Sequence, residues 1–162
     1  MWFYEEKRMK EYEERLKKYM IQSNIEAEQL IFQETCHSVA EAAITLGVSE
    51  DEIIKNICLI GEGGQLILVI VKGEDHVSIS RVAKVLNIEK PRVATEEEVF
   101  EKTGYLCGGV PSFGFEAIYI IDPKVMEKEE VYTGGGSENA MVKMTTKELQ
   151  RANQGMVLRV RR

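Results

Sequence analysis

The stretch NICLIGEGGQLILVIV, residues 56–71, holds two short apolar runs that are separated by the turn Gly61-Glu-Gly-Gly64. Runs of this length that are rich in Ile, Leu and Val and end at glycines are typical of buried β-strands. A short, glycine-rich connection between two such runs is typical of an antiparallel hairpin. We therefore predict that residues 56–60 and 66–71 pair as neighbouring antiparallel strands.

The segments on either side of this hairpin alternate between helix and strand signals. Helix starts recur as Ser or Thr followed three residues later by Glu, a spacing that lets the two side chains cap free backbone N–H groups. Four pairs fit this pattern: Ser38 with Glu41, Ser49 with Glu52, Thr95 with Glu98, and Thr145 with Glu148. Further strand-like runs lie at 117–121, 131–133, 141–144 and 156–160. Because a hairpin is combined with strands that helices separate, we predict an α/β fold with a mixed sheet.

The N-terminal segment has a different pattern from the rest of the chain. Met9, Tyr12, Leu16 and Tyr19 recur at intervals of three or four residues among Glu, Lys and Arg, which predicts an amphipathic helix. No internal repeat or linker follows it, so we predict a helix over 1–22 and one domain over 23–162. The helix either packs against that domain, forms a dimer seam or serves as an arm toward a partner. The sequence leaves monomer and dimer open.

Composition limits the class of protein. At 162 residues, with 44% apolar and 30% charged residues, the chain has the proportions of a globular domain, and no apolar run approaches the about 20 residues that cross a bilayer. Charged residues stand near the N-terminus where a signal peptide needs an apolar stretch, so we expect a cytoplasmic protein without a membrane partner. Cys36, Cys58 and Cys107 are odd in number and lack CxxC spacing, which predicts reduced thiols rather than disulfides or a zinc site.

The charge pattern restricts the kind of nucleic-acid contact. A net charge of −6 disfavours a protein that coats nucleic acid, because such proteins neutralise phosphates with clustered Lys and Arg. Two basic groups could still form local RNA contacts, with solvated surface as the alternative. These groups are Arg81, Lys84, Lys90 and Arg92, and Arg159, Arg161 and Arg162. The acidic runs are typical of helix N-termini and solvated faces, and we assign them no metal.

Two glycine-rich segments are candidates for a functional site. The first, 104–114, ends in Gly108-Gly-Val-Pro-Ser-Phe-Gly114, and the second, 133–139, contains Gly134-Gly-Gly-Ser137. Neither has the spacing of a P-loop or of a dinucleotide-binding turn, so a nucleoside triphosphate site is not predicted. Glycines let backbone N–H groups approach a ligand closely, and several such groups form an oxyanion hole or a phosphate nest. The alternative is that both segments are tight connections between strands.

Single side chains add two further candidates. Lys55 enters an otherwise apolar strand, where its ammonium group either reaches water at the strand edge or points into a cleft as a cation for a phosphate or an ester carbonyl. Cys107, beside Gly108, is either a nucleophile or a small residue packed under the loop. His37 directly follows Cys36, and because consecutive side chains point apart, a Cys-His nucleophile pair is not predicted there.

Four motifs in order resemble one family. They are SVAEAA with LGV at 38–43 and 46–48, IIKNI at 53–57, the glycine-rich run 108–114, and GGGS at 134–137. Over residues 25–155 these motifs make the chain similar to the YbaK/ProX family of aminoacyl-tRNA editing deacylases. The resemblance implies a single α/β domain with a mixed, barrel-like central sheet flanked by helices, and it leaves the N-terminal helix outside.

The resemblance also implies an activity, the hydrolysis of the ester between a wrongly attached small amino acid and the terminal adenosine of a tRNA, for example alanine or cysteine on tRNA-Pro. Lys55 corresponds to the functional lysine of the family, and we expect it to hold a phosphate or the reacting group while the N–H groups of Gly108 and Gly109 stabilise the oxyanion. The remaining expected site residues border the substrate: Val110, Pro111, Ser112, Phe113, Gly114, Gly134, Gly135, Gly136 and Ser137.

No metal or organic cofactor is expected for this reaction. An aminoacyl ester is labile, so a positioned water, oriented donors and one cation can suffice, with the ribose hydroxyl of the substrate helping to activate the water. The expected partner is aminoacylated tRNA, and an aminoacyl-tRNA synthetase is a further candidate. Two other functions stay open: a non-catalytic module of the same fold that binds tRNA or a synthetase, and a small-molecule ester or thioester hydrolase.

The chain departs from the family pattern in three places. Ser112 stands where the family often has Pro, Phe115 stands where some members have His, and a family aspartate is replaced within 139–141. The amino acid and the tRNA therefore stay open.

Overall fold

The computed structural model describes residues 2–33 and 38–162. Two residues that entered the sequence argument, Cys36 and His37, lie outside this part of the chain. The helices are α1 (Trp2–Gln22), α2 (Val39–Leu46), α3 (Ile79–Leu86), α4 (Glu96–Thr103), α5 (Pro123–Met126) and α6 (Thr146–Asn153), and a 3₁₀ turn spans Glu50–Glu52. The strands are β1 (Ala27–Ile31), β2 (Ile54–Ile60), β3 (Leu66–Lys72), β4 (Arg92–Val93), β5 (Ile118–Ile121), β6 (Glu130–Gly134), β7 (Ala140–Thr145) and β8 (Met156–Val157).

The predicted hairpin and the mixed sheet are both confirmed. Strands β2 and β3 pair in antiparallel register from Ile54 opposite Lys72 to Ile60 opposite Leu66. The Gly61 N–H donates to the Gln65 carbonyl at 2.9 Å and closes the turn. Strand β5 then pairs with β3, and β8 with β5, in parallel, which gives a five-stranded sheet of order β4-β2-β3-β5-β8.

The predicted barrel-like central sheet is not what the described strands form. The other three strands make a separate antiparallel sheet of order β1-β7-β6, and neither sheet closes on itself. An isolated bridge between Ile53 and Tyr132 brings the start of β2 next to β6. The two sheets therefore approach each other at this point, and residues of both sheets border one cleft there.

Short-range capping signals located most helix starts. Ser38, Thr95 and Thr145 each accept a hydrogen bond from the backbone N–H three residues on, and the predicted start at Ser49 caps the 3₁₀ turn. The prediction missed α3, α5, β1 and β4 and extended the last strand to residue 160 instead of Val157.

The main core lies between the two sheets. The face of β2 and β3 that carries Cys58 and Leu68 packs with the inner residues of β6 and β7, among them Val131 and Val142. The opposite face of the five-stranded sheet packs against α3 through the fully buried Val82.

Helix α1 belongs to this packing. It buries Tyr12, Leu16 and Met20 against the main core and leaves its Glu, Lys and Arg side chains largely exposed, as an amphipathic helix on a domain surface does. None of the helices in the described ranges is long and apolar enough to span a membrane.

Candidate active site

A cleft of about 380 Å³ runs along the edge of β2. Six consecutive residues of the chain, 53–58, line it. Since alternate side chains of a strand point to opposite faces, a continuous run of this kind can border only a cleft at the strand edge. Strand β4 pairs with β2 only at Leu59 and Ile60, which leaves the preceding part of that edge without a β4 partner. The opposite wall comes from the two glycine-rich segments, named here the first glycine loop (104–114) and the second glycine loop (133–139).

Lys55 lies on the strand side of this cleft. It sits on β2 opposite Val71, is half-buried, and lines the cleft together with Gly108, Val110 and Gly134. Its ammonium group makes no hydrogen bond or ion pair with any other described residue. A cation at a cleft without a carboxylate partner is available to an anion or to a developing negative charge on a ligand.

Next to Lys55, a buried polar cluster joins β2 to both loops. The Asn56 side-chain amide donates to the Val110 carbonyl at 2.9 Å and to the Thr133 hydroxyl at 3.0 Å. The Ser112 hydroxyl lies 2.7 Å from the Asn56 side-chain oxygen and 2.6 Å from the Thr133 hydroxyl. Buried polar groups that satisfy one another in this way fix a single arrangement of the chain segments they join.

The two glycine loops are packed backbone against backbone. The Gly136 N–H donates to the Gly109 carbonyl at 2.9 Å. A Cβ placed on Gly134 would stand 2.0 Å from the Val110 carbonyl oxygen, and one on Gly109 would stand 2.7 Å from the backbone of Gly136. These contacts are too short for any side chain, so glycine is required where the loops cross.

The backbone N–H groups at the cleft divide into used and available donors. The Gly109 N–H donates to the Leu106 carbonyl at 3.0 Å, so the expectation that it stabilises an oxyanion does not match this geometry. The N–H groups of Gly108 and Val110 have no hydrogen-bond partner among the described residues, and both residues line the cleft. Gly108 reaches this arrangement with a φ of +92°, which favours glycine. Gly108 and Val110 are therefore the better pair of donors.

The other expected site residues of the first loop face away from the cleft. Ser112 and Phe113 are fully buried, and the Phe113 ring stacks on Tyr19 of α1 with ring centres 6.2 Å apart. Pro111 is buried beside them, and Gly114 also lies against the Tyr19 ring. These four residues support the loop rather than line the cleft.

In the second loop only part of the expected set reaches the cleft. Gly134 lines it, whereas Gly135 packs against the backbone of Ala140 and Gly136 against α1. The buried Ser137 hydroxyl donates to the Glu13 carboxylate of α1 at 2.6 Å.

The two described cysteines have little thiolate character. Burial raises the pKa of Cys58 to about 12, and the neighbouring Cys107 adds to that effect. Local desolvation, followed by the nearby Glu96 carboxylate, also raises the pKa of Cys107, although its side chain reaches solvent. Because the thiolate is the nucleophile, neither cysteine is activated for attack at neutral pH.

Two kinds of residue at this site were not predicted from the sequence. Asn56 could have been found, because it is a second polar residue inside an apolar strand next to Lys55. Other residues that line the cleft could not have been found, because they come from segments that are distant in sequence. They are Val93 and Ala94 after α3, Ala42 of α2, and Met141 of β7. The described residues contain no group of three or more His, Cys, Asp or Glu that could hold a metal ion.

Comparison with known proteins gives consistent matches. A family model of the aminoacyl-tRNA editing domain matches residues 33–152. The uncharacterized protein YwhH of Bacillus subtilis (strain 168) is 31% identical over 133 residues, which are 81% of this chain and 84% of YwhH. The crystal structure of a proposed trans-editing enzyme for prolyl tRNA synthetase has a TM-score of 0.87 and 25% identity, with 93% of this chain and 97% of that chain covered.

A longer relative shares only this region. The proline–tRNA ligase of Stenotrophomonas maltophilia (strain R551-3) is 30% identical over 110 residues, which are 65% of this chain and 19% of the ligase. The family match includes Lys55 and both glycine loops, and α1 lies before it.

Proposed function

The chain belongs to the aminoacyl-tRNA editing domain family, and from this membership we propose that it hydrolyses the ester bond of a mischarged aminoacyl-tRNA. The observation that carries the proposal is the convergence of one unpaired cation, Lys55, and two available N–H donors, at Gly108 and Val110, on one cleft. Ester hydrolysis needs this combination, because negative charge develops on the carbonyl oxygen as water attacks.

The proposed roles follow from what each group can do. Lys55 holds the phosphate of the terminal nucleotide or the reacting carbonyl, and the N–H groups of Gly108 and Val110 stabilise the tetrahedral oxyanion. Water is the nucleophile, because the cleft thiols of Cys58 and Cys107 are kept protonated. The ribose hydroxyl of the substrate assists in activating that water, as the family resemblance suggests.

The cleft also supports a small amino acid. Many of its lining residues are small or medium-sized and apolar: Val39, Ala42, Val93, Ala94, Val99 and Ala140. Such a lining excludes a large side chain by sterics and separates near-isosteres by only about 1–3 kcal/mol. Together with the similarity to a proline–tRNA ligase and to a proposed trans-editing enzyme for prolyl tRNA synthetase, this supports alanine or cysteine on tRNA-Pro as the substrate.

We further propose that the chain acts in trans on free aminoacyl-tRNA in the cytoplasm, with an aminoacyl-tRNA synthetase as a second partner. The domain of residues 23–162 carries the cleft in this proposal, and the helix of residues 1–22 is an addition to it.

The test is a discharge assay. Purified protein and its Lys55→Ala variant are incubated with tRNAs that each carry a wrong small amino acid, including Ala-tRNA-Pro and Cys-tRNA-Pro, and with 3′-aminoacyl adenosine that lacks the tRNA. We expect rapid ester loss from one or two of the tRNAs, and its near absence in the variant. Binding of tRNA without discharge would replace the proposal by a non-catalytic binding module, and equal activity on esters without tRNA would replace it by a small-molecule esterase.

A further inference from the structure

Helix α1 contacts both glycine loops from the side away from the cleft. Toward the second loop, the Glu13 carboxylate accepts the hydrogen bond from Ser137, and a Cβ on Gly136 would meet the Tyr12 carbonyl at 3.0 Å and the Glu13 Cα at 3.1 Å. Gln29 of β1 adds a link, since its side-chain amide donates to the Glu13 carbonyl at 2.8 Å and to the Gly135 carbonyl at 3.0 Å. The second loop is thus bonded to the helix through side chain and backbone.

The first loop is held by the same helix at Arg15 and, about one turn after Arg15, at Tyr19. The Arg15 guanidinium donates to the Gly104 carbonyl and lies over the Tyr105 ring, 4.5 Å from its centre. Tyr19 stacks on Phe113 and contacts Gly114. Both ends of the first loop are therefore fixed to α1, while its middle, at Gly108 and Val110, lines the cleft.

None of the α1 side chains that the structure describes, in residues 4–22, lines the cleft, so this part of the helix acts on the cleft through the loops. The loops in turn are coupled to each other, because the Gly136 N–H donates to the Gly109 carbonyl between the two available donors. A shift of Gly136 would move Gly109, and with it the N–H groups on either side. Catalysis depends steeply on such placement, since a displacement of about 1 Å can lower a rate about a hundredfold.

We propose that α1 positions the oxyanion donors of the cleft and that Glu13 is its principal positioning residue. This inference rests on the proposed function for its effect on rate, but its structural part does not. The Ser137 hydroxyl donates to the Glu13 carboxylate over a short distance, and the same hydroxyl accepts the Asn139 N–H at 3.1 Å, so it orders the turn of the second loop.

The test compares Glu13→Ala with two matched variants. Glu13→Gln keeps an oxygen that can accept the Ser137 hydrogen bond, and Glu14→Ala removes the adjacent carboxylate, which is exposed. Two readouts are taken from each protein: the discharge rate of mischarged tRNA, and hydrogen exchange at the Gly136 and Asn139 amides, which reports local opening whether or not the protein is an enzyme.

We expect Glu13→Ala to raise both exchange rates about tenfold and to lower kcat about tenfold with a smaller change in KM. Glu13→Gln should recover most of both losses, and Glu14→Ala should match the wild type. Ser137→Ala removes the same bond from the other side and also removes the acceptor of the Asn139 N–H, so the Glu13→Ala/Ser137→Ala double variant should be no worse than Ser137→Ala alone. The Ser137→Ala single variant also keeps the test valid if Glu13→Ala folds poorly.

The outcomes separate the two proposals. Wild-type protein that discharges no tRNA, with faster loop exchange in Glu13→Ala, would end the editing proposal and leave the positioning role of α1 standing. Wild-type protein that discharges tRNA, with Glu13→Ala unchanged in rate and exchange or not recovered by Glu13→Gln, would overturn the positioning role alone.

Discussion

The two walls of the cleft are built in opposite ways. The strand wall offers a side chain, Lys55, carried by a strand that is paired along its whole length with β3. The loop wall offers backbone N–H groups, at Gly108 and Val110, and holds them through close contacts between glycines and through the buried cluster of Asn56, Ser112 and Thr133. One wall supplies the charge of a side chain and the other a set of backbone dipoles.

Because of this difference, substitutions in the two walls should have different effects on activity and on stability. Lys55 has no partner among the described residues, so its removal takes away a charge and leaves the fold alone. In the glycine loops, the backbone that forms the contacts between the loops also lines the cleft. A substitution there therefore alters both the fold and the activity.

Lys55→Ala tests the strand wall and should have the largest effect. We expect kcat/KM for the discharged aminoacyl-tRNA to fall about 10²–10³-fold, as for the loss of one electrostatic contact to the transition state. The thermal midpoint should stay near that of the wild type, and Lys55→Arg should restore part of the activity. The control is Lys143→Ala on β7, outside the cleft. Full activity in the Lys55→Ala protein would contradict the proposed role of the Lys55 charge in ester cleavage.

Gly134→Ala tests the loop wall. The new methyl group would overlap the Val110 carbonyl, so we expect a loss of about 1–3 kcal/mol in the free energy of unfolding together with a fall of about 10² in kcat/KM. Denaturant melts and discharge rates on the same preparation check both effects. Gly63→Ala in the β2–β3 turn is the control, because that glycine is exposed and its Cβ would meet only the flexible Gln65 side chain. Unchanged stability in Gly134→Ala would show that the loops are not locked together.

Ser112→Ala probes the cluster that ties the two walls. It leaves the side-chain oxygen of the half-buried Asn56 without its donor and takes a hydroxyl away from the buried Thr133, which costs about 1–3 kcal/mol of stability. We expect a fall of about tenfold in kcat/KM, since Asn56 also holds the Val110 carbonyl. Ser80→Ala on the exposed side of α3 serves for comparison in the same unfolding and discharge assays. Equal behaviour of the two variants would mean that the walls are held by other contacts.

Asp122→Asn changes a buried group outside both walls and should affect stability more than cleavage. Burial alone would raise the pKa of Asp122, but N–H donors from Lys124, Val160 and Arg161 outweigh it and lower the pKa. The stability from the ionised carboxylate is therefore present above the usual carboxyl pKa of about 4 and is lost as the pH falls through the lower folded-state value. When both proteins are melted at pH values from 7 to 3, the difference in stability between Asp122→Asn and the wild type should narrow below about pH 4. A difference in stability that does not change with pH would contradict the proposed contribution of the ionised Asp122 carboxylate.

Cys107→Ser should have the smallest effect. The thiol lines the cleft but its raised pKa leaves little thiolate near pH 7, so kcat/KM should change by less than about twofold. Loss of activity on this substitution, or on alkylation of the wild type but not of Cys107→Ser, would instead support a covalent route.

Local signals predicted much of the fold. The capping pairs at Thr95 and Thr145 and the glycine hairpin need only a few neighbouring residues, and the structure confirms them. Helix α3 was missed because its cap, Ser78, is followed by Arg81 instead of Glu. The division into two sheets was also missed, because strand order depends on pairings such as β1 with β7, which are more than a hundred residues apart.

The candidate site was predictable in its parts but not in its arrangement. A lysine in an apolar strand and two glycine-rich segments are visible in the sequence, and the structure brings Lys55, Gly108 and Gly134 together. The direction in which each loop residue points is set by distant contacts: Phe113 turns inward onto α1, and the Gly109 N–H turns back to Leu106. No local pattern encodes those contacts.

The most direct test of the account is an amide ¹H–¹⁵N titration with the 5′-phosphate of 3′-alanylamido-3′-deoxyadenosine, a non-hydrolysable analogue of the aminoacylated terminal nucleotide. If the ester carbonyl binds where we propose, the amides of Gly108 and Val110 will show the largest shifts, Gly109 will change less because it stays bonded to Leu106, and Lys55→Ala will weaken the binding. Saturable shifts elsewhere on the protein, with Gly108 and Val110 unchanged, would contradict the assignment of this cleft as the editing site.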